Sequence, residues 1–189
     1  MQQLVDDIAA SVKSIDESKV PFKSSRPPFK EYRPGAGPYG EPQLAKLIVK
    51  HLAESGRYPG IVTKRAPDVL VPKMWALEFK IVRPFGDDGN EAEHWSQNLL
   101  HPYTGNVSAI GDALKLMTYA GEERRAIILI AYEHEPPKID LEVLISGYEL
   151  LCRSLLKLPL GDRHTCSVSE CVHPVHQRAT VYGWELAAL

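Results

Sequence analysis

Residues 67–80 read Pro-Asp-Val-Leu-Val-Pro-Lys-Met-Trp-Ala-Leu-Glu-Phe-Lys (PDVLVPKMWALEFK). Two strand-like runs, Val69 to Val71 and Trp75 to Val82, flank a short turn. Side chains alternate along a strand, so Glu78 and Lys80 share one face while Leu77 and Phe79 point to the other. A carboxylate and an ammonium among Trp75, Leu77, Phe79, Ile81 and Val82 are out of keeping with a core strand. Burying charge is costly unless it is partnered, and either a divalent cation or mutual pairing would resolve that cost. Register decides whether Asp68 joins them. If Val71 opposes Trp75 across a three-residue turn (Pro72, Lys73, Met74), Asp68 falls opposite Glu78 on the same face. A two-residue turn would pair Asp68 with Leu77 and put the carboxylates on opposite faces. A site therefore requires an odd-numbered turn, or a bulge with the same effect.

Outward from this hairpin the chain alternates helical and strand periodicity. Before it, Leu44, Leu47, Ile48, His51 and Leu52 line one face of a helix that opens at Glu41-Pro42 and ends near Gly56. Ile61 to Lys64 reads as a further strand. After it come a polar loop, Arg83 to Glu93, and a helix from about Ser108 to Ala120, with Asn106 as a candidate cap. The apolar run Ala126 to Tyr132 fits a strand covered on both faces. A long helix through Leu141, Leu144, Ile145, Tyr148, Leu151, Cys152 and Leu155 follows, and Ala179 to Leu186 reads as a last strand. This order predicts an α/β fold, a mixed central sheet flanked by helices, over residues 41–189. Residues 1–40 are expected as an N-terminal helix (Leu4, Val5, Ile8, Val12, Ile15) and a Pro/Gly-rich basic arm. The arm carries Lys19, Lys23, Arg26, Lys30 and Arg33 with Phe22, Phe29 and Tyr32 interleaved. It either reaches for phosphates or is pinned by its aromatics to its own domain, the plainer reading.

The chain has 189 residues, 44% hydrophobic and 24% charged, as in ordinary globular proteins. No apolar stretch approaches the length of a spanning helix, and no secretory leader is visible, so a cytoplasmic protein without membrane contact is expected. Three cysteines without a leader predict no disulfide framework. A net charge of −2 argues against a non-specific nucleic-acid coating protein, though not against local grip on DNA.

Paired carboxylates are the hard oxygen ligands Mg²⁺ or Mn²⁺ prefers. Such an ion can bind a scissile phosphate and activate water, with Lys80 neutralising charge beside it. Pro67-Asp68, nine residues, then Glu78-Phe79-Lys80 resembles the signature of the PD-(D/E)xK nuclease superfamily, and the order helix, three strands, helix, strand resembles its restriction-endonuclease-like core. The resemblance covers roughly residues 41–132. It implies an endonuclease that hydrolyses DNA phosphodiester bonds, restriction- or repair-type. Asp68, Glu78 and the main-chain carbonyl of Phe79 would hold the metal, Lys80 would orient water, and Glu41 would match an acid near the metal. It also implies a homodimer that cuts two strands. Glu41 has a plainer reading as an acid at a helix N-terminus.

Weaker signals are Gln97, His101 and Lys115, expected to touch phosphate or support the site. Asp112 and Lys115 read most simply as a local ion pair. Cys166, Cys171, His173 and His176 could close a tetrahedral Zn²⁺ site, but their spacing departs from paired knuckles. A Pro174 turn with solvent-facing histidines and buried cysteines is the plainer reading. The alternative function is a non-catalytic nucleic-acid-binding or scaffolding protein that retains the fold.

Overall fold

In the computed structural model, which describes residues 1–24, 29–103 and 108–187, the chain folds around a six-stranded mixed sheet. The helices are α1 (Gln2–Glu17), α2 (Glu41–Glu54), α3 (Gln97–Leu100), α4 (Ala109–Met117) and α5 (Leu141–Leu150), the last running into a π-helical turn, Leu151–Leu155. The strands are β1 (Pro21–Lys23), β2 (Glu31–Pro34), β3 (Val62–Thr63), β4 (Val69–Val71), β5 (Trp75–Val82), β6 (Arg124–Glu133), β7 (Leu160–Val168) and β8 (Arg178–Leu186). The main sheet has the order β3-β4-β5-β6-β8-β7, and β1 and β2 form a separate hairpin. β5 and β6 run parallel, and the other neighbours in the main sheet are antiparallel. As expected, β6 is apolar without alternation because helices cover both sheet faces, and Ala126 to Tyr132 are all buried.

One face packs Leu77, Phe79 and Ile81 with Ile128 and Val181 against α1 and α2. The other packs Ala76, Val82, Ile127, Leu129 and Trp184 against α3, α4 and α5. Ser108 caps α4 by accepting from the Gly111 N–H (3.0 Å), and Asp140 caps α5 by accepting from Glu142 (2.9 Å). Asn106, the expected cap of α4, lies outside the described residues, as does Arg26 of the basic arm.

Two expectations are corrected. The N-terminal helix was expected with the arm, apart from the compact region. Instead, Leu4, Val5, Ile8, Val12 and Ile15 are buried in one apolar cluster with α2 and the sheet. Gly183 permits that approach, since a Cβ there would meet the Val5 side chain at 2.6 Å. The second is β7, which overlaps the Cys/His stretch and lies where the periodicity predicts no strand. It pairs with β8 as the sheet's outer strand.

Because Ile8 is fully buried, Ile8→Ala should cost about 2–5 kcal/mol of unfolding free energy. Urea denaturation of the intact chain measures it. A loss below ~0.5 kcal/mol, the range of ordinary surface changes, would mean α1 is not part of the cooperative unit.

Candidate functional site

The site forms where β5 outruns β4. Val71 opposes Trp75, Leu70 opposes Ala76 and Val69 opposes Leu77. The turn therefore holds three residues, closed by the Met74 N–H on the Val71 carbonyl at 2.9 Å, and Asp68 falls opposite Glu78. Beyond Leu77, β5 keeps β6 on one side but has no further residue of β4 on the other. Two side chains occupy that bare edge. The Phe79 N–H donates to Asp68 Oδ2 at 2.9 Å, and the Ile81 N–H donates to Glu41 Oε2 at 3.3 Å. A strand residue directs its N–H and C=O to the same side, so the Phe79 carbonyl faces this edge too.

Glu78 and Lys80 project to the α4 face with Ala76 and Val82, and both are buried, at 3% and 6% exposure. Lys80 does not pair with Asp68 or Glu78, the pairing read as the plain alternative to a metal site. Its ammonium lies 2.8 Å from Asp112 Oδ2 and 3.2 Å from Glu41 Oε1. Asp112 is only 2% exposed and bridges onward to Lys115 through its other oxygen. Asp112 is the residue the sequence reading undervalued. The local pair with Lys115 is real, but the same carboxylate also holds Lys80.

The electrostatics follow from burial. Desolvation pushes the Glu78 carboxyl up, and the neighbouring Asp68 carboxylate and its hydrogen bond push it further, to about 8. Glu78 therefore keeps its proton at neutral pH and donates it in a hydrogen bond to the Asp68 carboxylate. Desolvation also raises Glu41, against the opposing pull of Lys80. Burial alone would lower the Lys80 ammonium, but Glu41 and Asp112 outweigh it and its pKa is raised, so it stays charged. Lys115 is raised in the same way by Asp112 against its own desolvation.

As a donor set, Asp68 and Glu78 offer hard carboxylate oxygens suited to Mg²⁺ or Mn²⁺, with the Phe79 carbonyl on the same edge. Among the described residues, the one group that brings three His, Cys, Asp or Glu ligand atoms within 4.8 Å of one another lies elsewhere, at Asp87, His173 and His176. Asp68 and Glu78 are not in such a three-ligand group among the described residues, and the Phe79 carbonyl is the oxygen donor on their own strand edge.

The remaining candidates are scattered. Gln97 is exposed on α3 and contacts His94 Nδ1 at 3.1 Å. The His101 carbonyl accepts from Ser108 Oγ at 2.6 Å, and its ring packs edge-on against Tyr103. Only Lys115 joins the network. The Cys₂His₂ set does not assemble. Cys166 lies on β7, Cys171 donates to the Val168 carbonyl at 3.7 Å, and the two histidines, buried rather than solvent-facing, gather with Asp87.

Comparison with family models, curated proteins and solved structures finds no match. Among the described residues, no helix is long and apolar enough to cross a membrane.

Glu78 gives this site a pH signature. Its folded pKa is raised above the ordinary carboxylate value of 4.5, so without a cation the folded state holds a proton that the unfolded chain has released. That contribution is complete below about pH 4.5 and is lost as pH rises through about 8. In EDTA, Glu78→Gln should therefore become progressively more stable than wild type from pH 5 to 8. Parallel stability curves for the two proteins would contradict the assignment.

Proposed function

We propose that this protein is a divalent-metal-dependent endonuclease hydrolysing DNA phosphodiester bonds on a restriction-endonuclease-like core, in a restriction or repair role. The observation that carries the reading is Asp68 facing Glu78 across the hairpin, with Lys80 two residues on and the Phe79 carbonyl at the same strand edge. A hard divalent ion bound there would supply Lewis acidity toward the scissile phosphate and lower the pKa of a water.

The chain's own groups do the rest. Asp68 is oriented by the Phe79 N–H, which leaves its second oxygen for ligation. Glu78, once deprotonated, would hold the ion from the opposite side. Lys80, kept charged, offers an ammonium to the phosphate or its attacking water, and Glu41 and Asp112 fix its position. Cutting both strands takes two such sites, so the expected second copy belongs to this reading.

A second reading has its own support. Each charged group here also has a structural partner: Asp68 and Glu41 cap the bare edge of β5, and Lys80 sits between two acids. On this reading the chain retains the fold as a non-catalytic nucleic-acid-binding or scaffolding protein.

Plasmid and linear DNA incubated with Mg²⁺, Mn²⁺ or EDTA separate the two. Metal-dependent nicking is expected for wild type, reduced by about 100-fold or more in Lys80→Ala, the scale of losing one charge stabiliser. If wild type leaves DNA intact and calorimetry detects no Mn²⁺ binding that Asp68→Ala abolishes, the second reading holds.

A further inference from the structure

We propose that Asp87, His173 and His176 form a binding site for a borderline divalent cation of the zinc class, separate from the Asp68–Glu78 carboxylate pair. One ligand atom from each lies within 4.8 Å of the others, a spacing that small side-chain movements close to the bond lengths of a Zn–N/O centre. The sequence offered these histidines with two cysteines. The fold removes the cysteines and supplies Asp87 from the loop after β5.

The atoms facing the centre point to a ligand. His173 and His176 are buried, at 0% and 1% exposure, and His173 Nε2 and His176 Nδ1 have no hydrogen-bond partner. The two rings stack with centroids 4.5 Å apart, and their unpartnered buried nitrogens carry a desolvation cost that a bound species would remove. His176 is set for ligation. Its Nε2 lies 3.0 Å from the Phe85 carbonyl, and donating there leaves the Nδ1 lone pair free, the arrangement that orients metal-bound imidazoles.

His173 is held differently. Its Nδ1 accepts from the Val175 and His176 N–H groups at 3.3 and 3.2 Å, so its proton sits on Nε2. To ligate through Nε2 as a neutral imidazole, the ring moves that proton to Nδ1 on cation binding and gives up these two long N–H contacts. The Asp87 carboxylate then offsets one of the ion's two charges. Burial favours the neutral imidazoles in the absence of the ion, lowering His173 and taking His176 to about 3.

Access and charge are also accounted for. Asp87 and His176 line a cleft of about 430 Å³ with Arg83, Phe85 and Trp95, which gives an ion a route in and room for water in its open positions. Asp87 now pairs with Lys30 at 3.5 Å, a contact with a largely exposed lysine that an ion would displace. The Arg83 guanidinium lines the same cleft and is tied to the Gly37 carbonyl at 2.7 Å. Two nitrogens and one oxygen select zinc, cobalt or nickel over magnesium.

The test uses the full chain, stripped with EDTA and dialysed against limiting zinc, with bound metal measured by elemental analysis and Co²⁺ followed by its visible absorption. About one zinc per chain is expected, as for a single mononuclear site, with a rise in melting temperature. His176→Gln and Asp87→Asn should each bind at least about tenfold more weakly, the scale of losing one ligand. The Asp68→Asn/Glu78→Gln double variant should retain the zinc, which separates this site from the proposed nuclease centre. Wild type that dialyses free of zinc with no thermal shift overturns the proposal, leaving a water between the two rings. So does zinc uptake that survives in folded His176→Gln or is lost in the double variant. If His176→Gln does not fold, Asp87→Asn decides, because Asp87 sits at the cleft wall.

Discussion

A strand that outruns its neighbour leaves main-chain N–H groups without partners, and in β5 those groups belong to Phe79 and Ile81. An unpaired buried amide is costly, and a carboxylate is the strongest acceptor the side chains offer. Asp68, just before β4, and Glu41, at the start of α2, take these two positions. The need that caps the sheet edge is therefore the same one that draws two acids to Lys80 and Glu78. Had β4 run two residues further, its backbone would have satisfied Phe79 and left Asp68 no reason to turn inward.

The charges gathered there do not balance. Glu41, Asp68, Glu78 and Asp112 face Lys80 and Lys115, four acids against two ammonium groups. The protein offsets part of the deficit by leaving a proton on Glu78. A divalent cation would offset it more fully and release that proton, which is why the carboxyl pair reads as a ligand pair and not only as an edge cap. Lys80 fits the same logic. Its ammonium is held by Glu41 and Asp112 rather than by the pair itself, so Asp68 and Glu78 keep their oxygens for another partner.

What could be read from sequence followed the range of the interactions. The β4–β5 register was legible because it is local: three turn residues and strict alternation fix which side chains share a face. The helices containing Leu44 and Leu141 were legible from their apolar period. β7 was not, because Gly161 to Ser167 place no large apolar side chains in alternation and the strand is held by pairing with β8 and by α1 lying against it. Asp112 was read only through its neighbour at i+3. Its contact with Lys80 crosses from α4 to β5 and leaves no periodic trace. Asp87 is harder still, since its histidine partners lie beyond β6, α5 and β7 in the chain.

The two polar centres are nevertheless joined by one piece of backbone. From Lys80 the chain passes through Arg83, which hydrogen bonds the Gly37 carbonyl, and Phe85, whose carbonyl faces His176, to reach Asp87. Gly37 lies three residues before Gly40, the N-cap that sets Glu41 beside Lys80. Anything that firms the contact between the 83–87 loop and the His173–His176 turn also firms the segment that delivers Glu41. The hard-oxygen centre on β5 and the nitrogen-rich centre beyond its end therefore differ in chemistry but share support. The first depends on where a strand stops, and the second on where the loop leaving that strand is anchored.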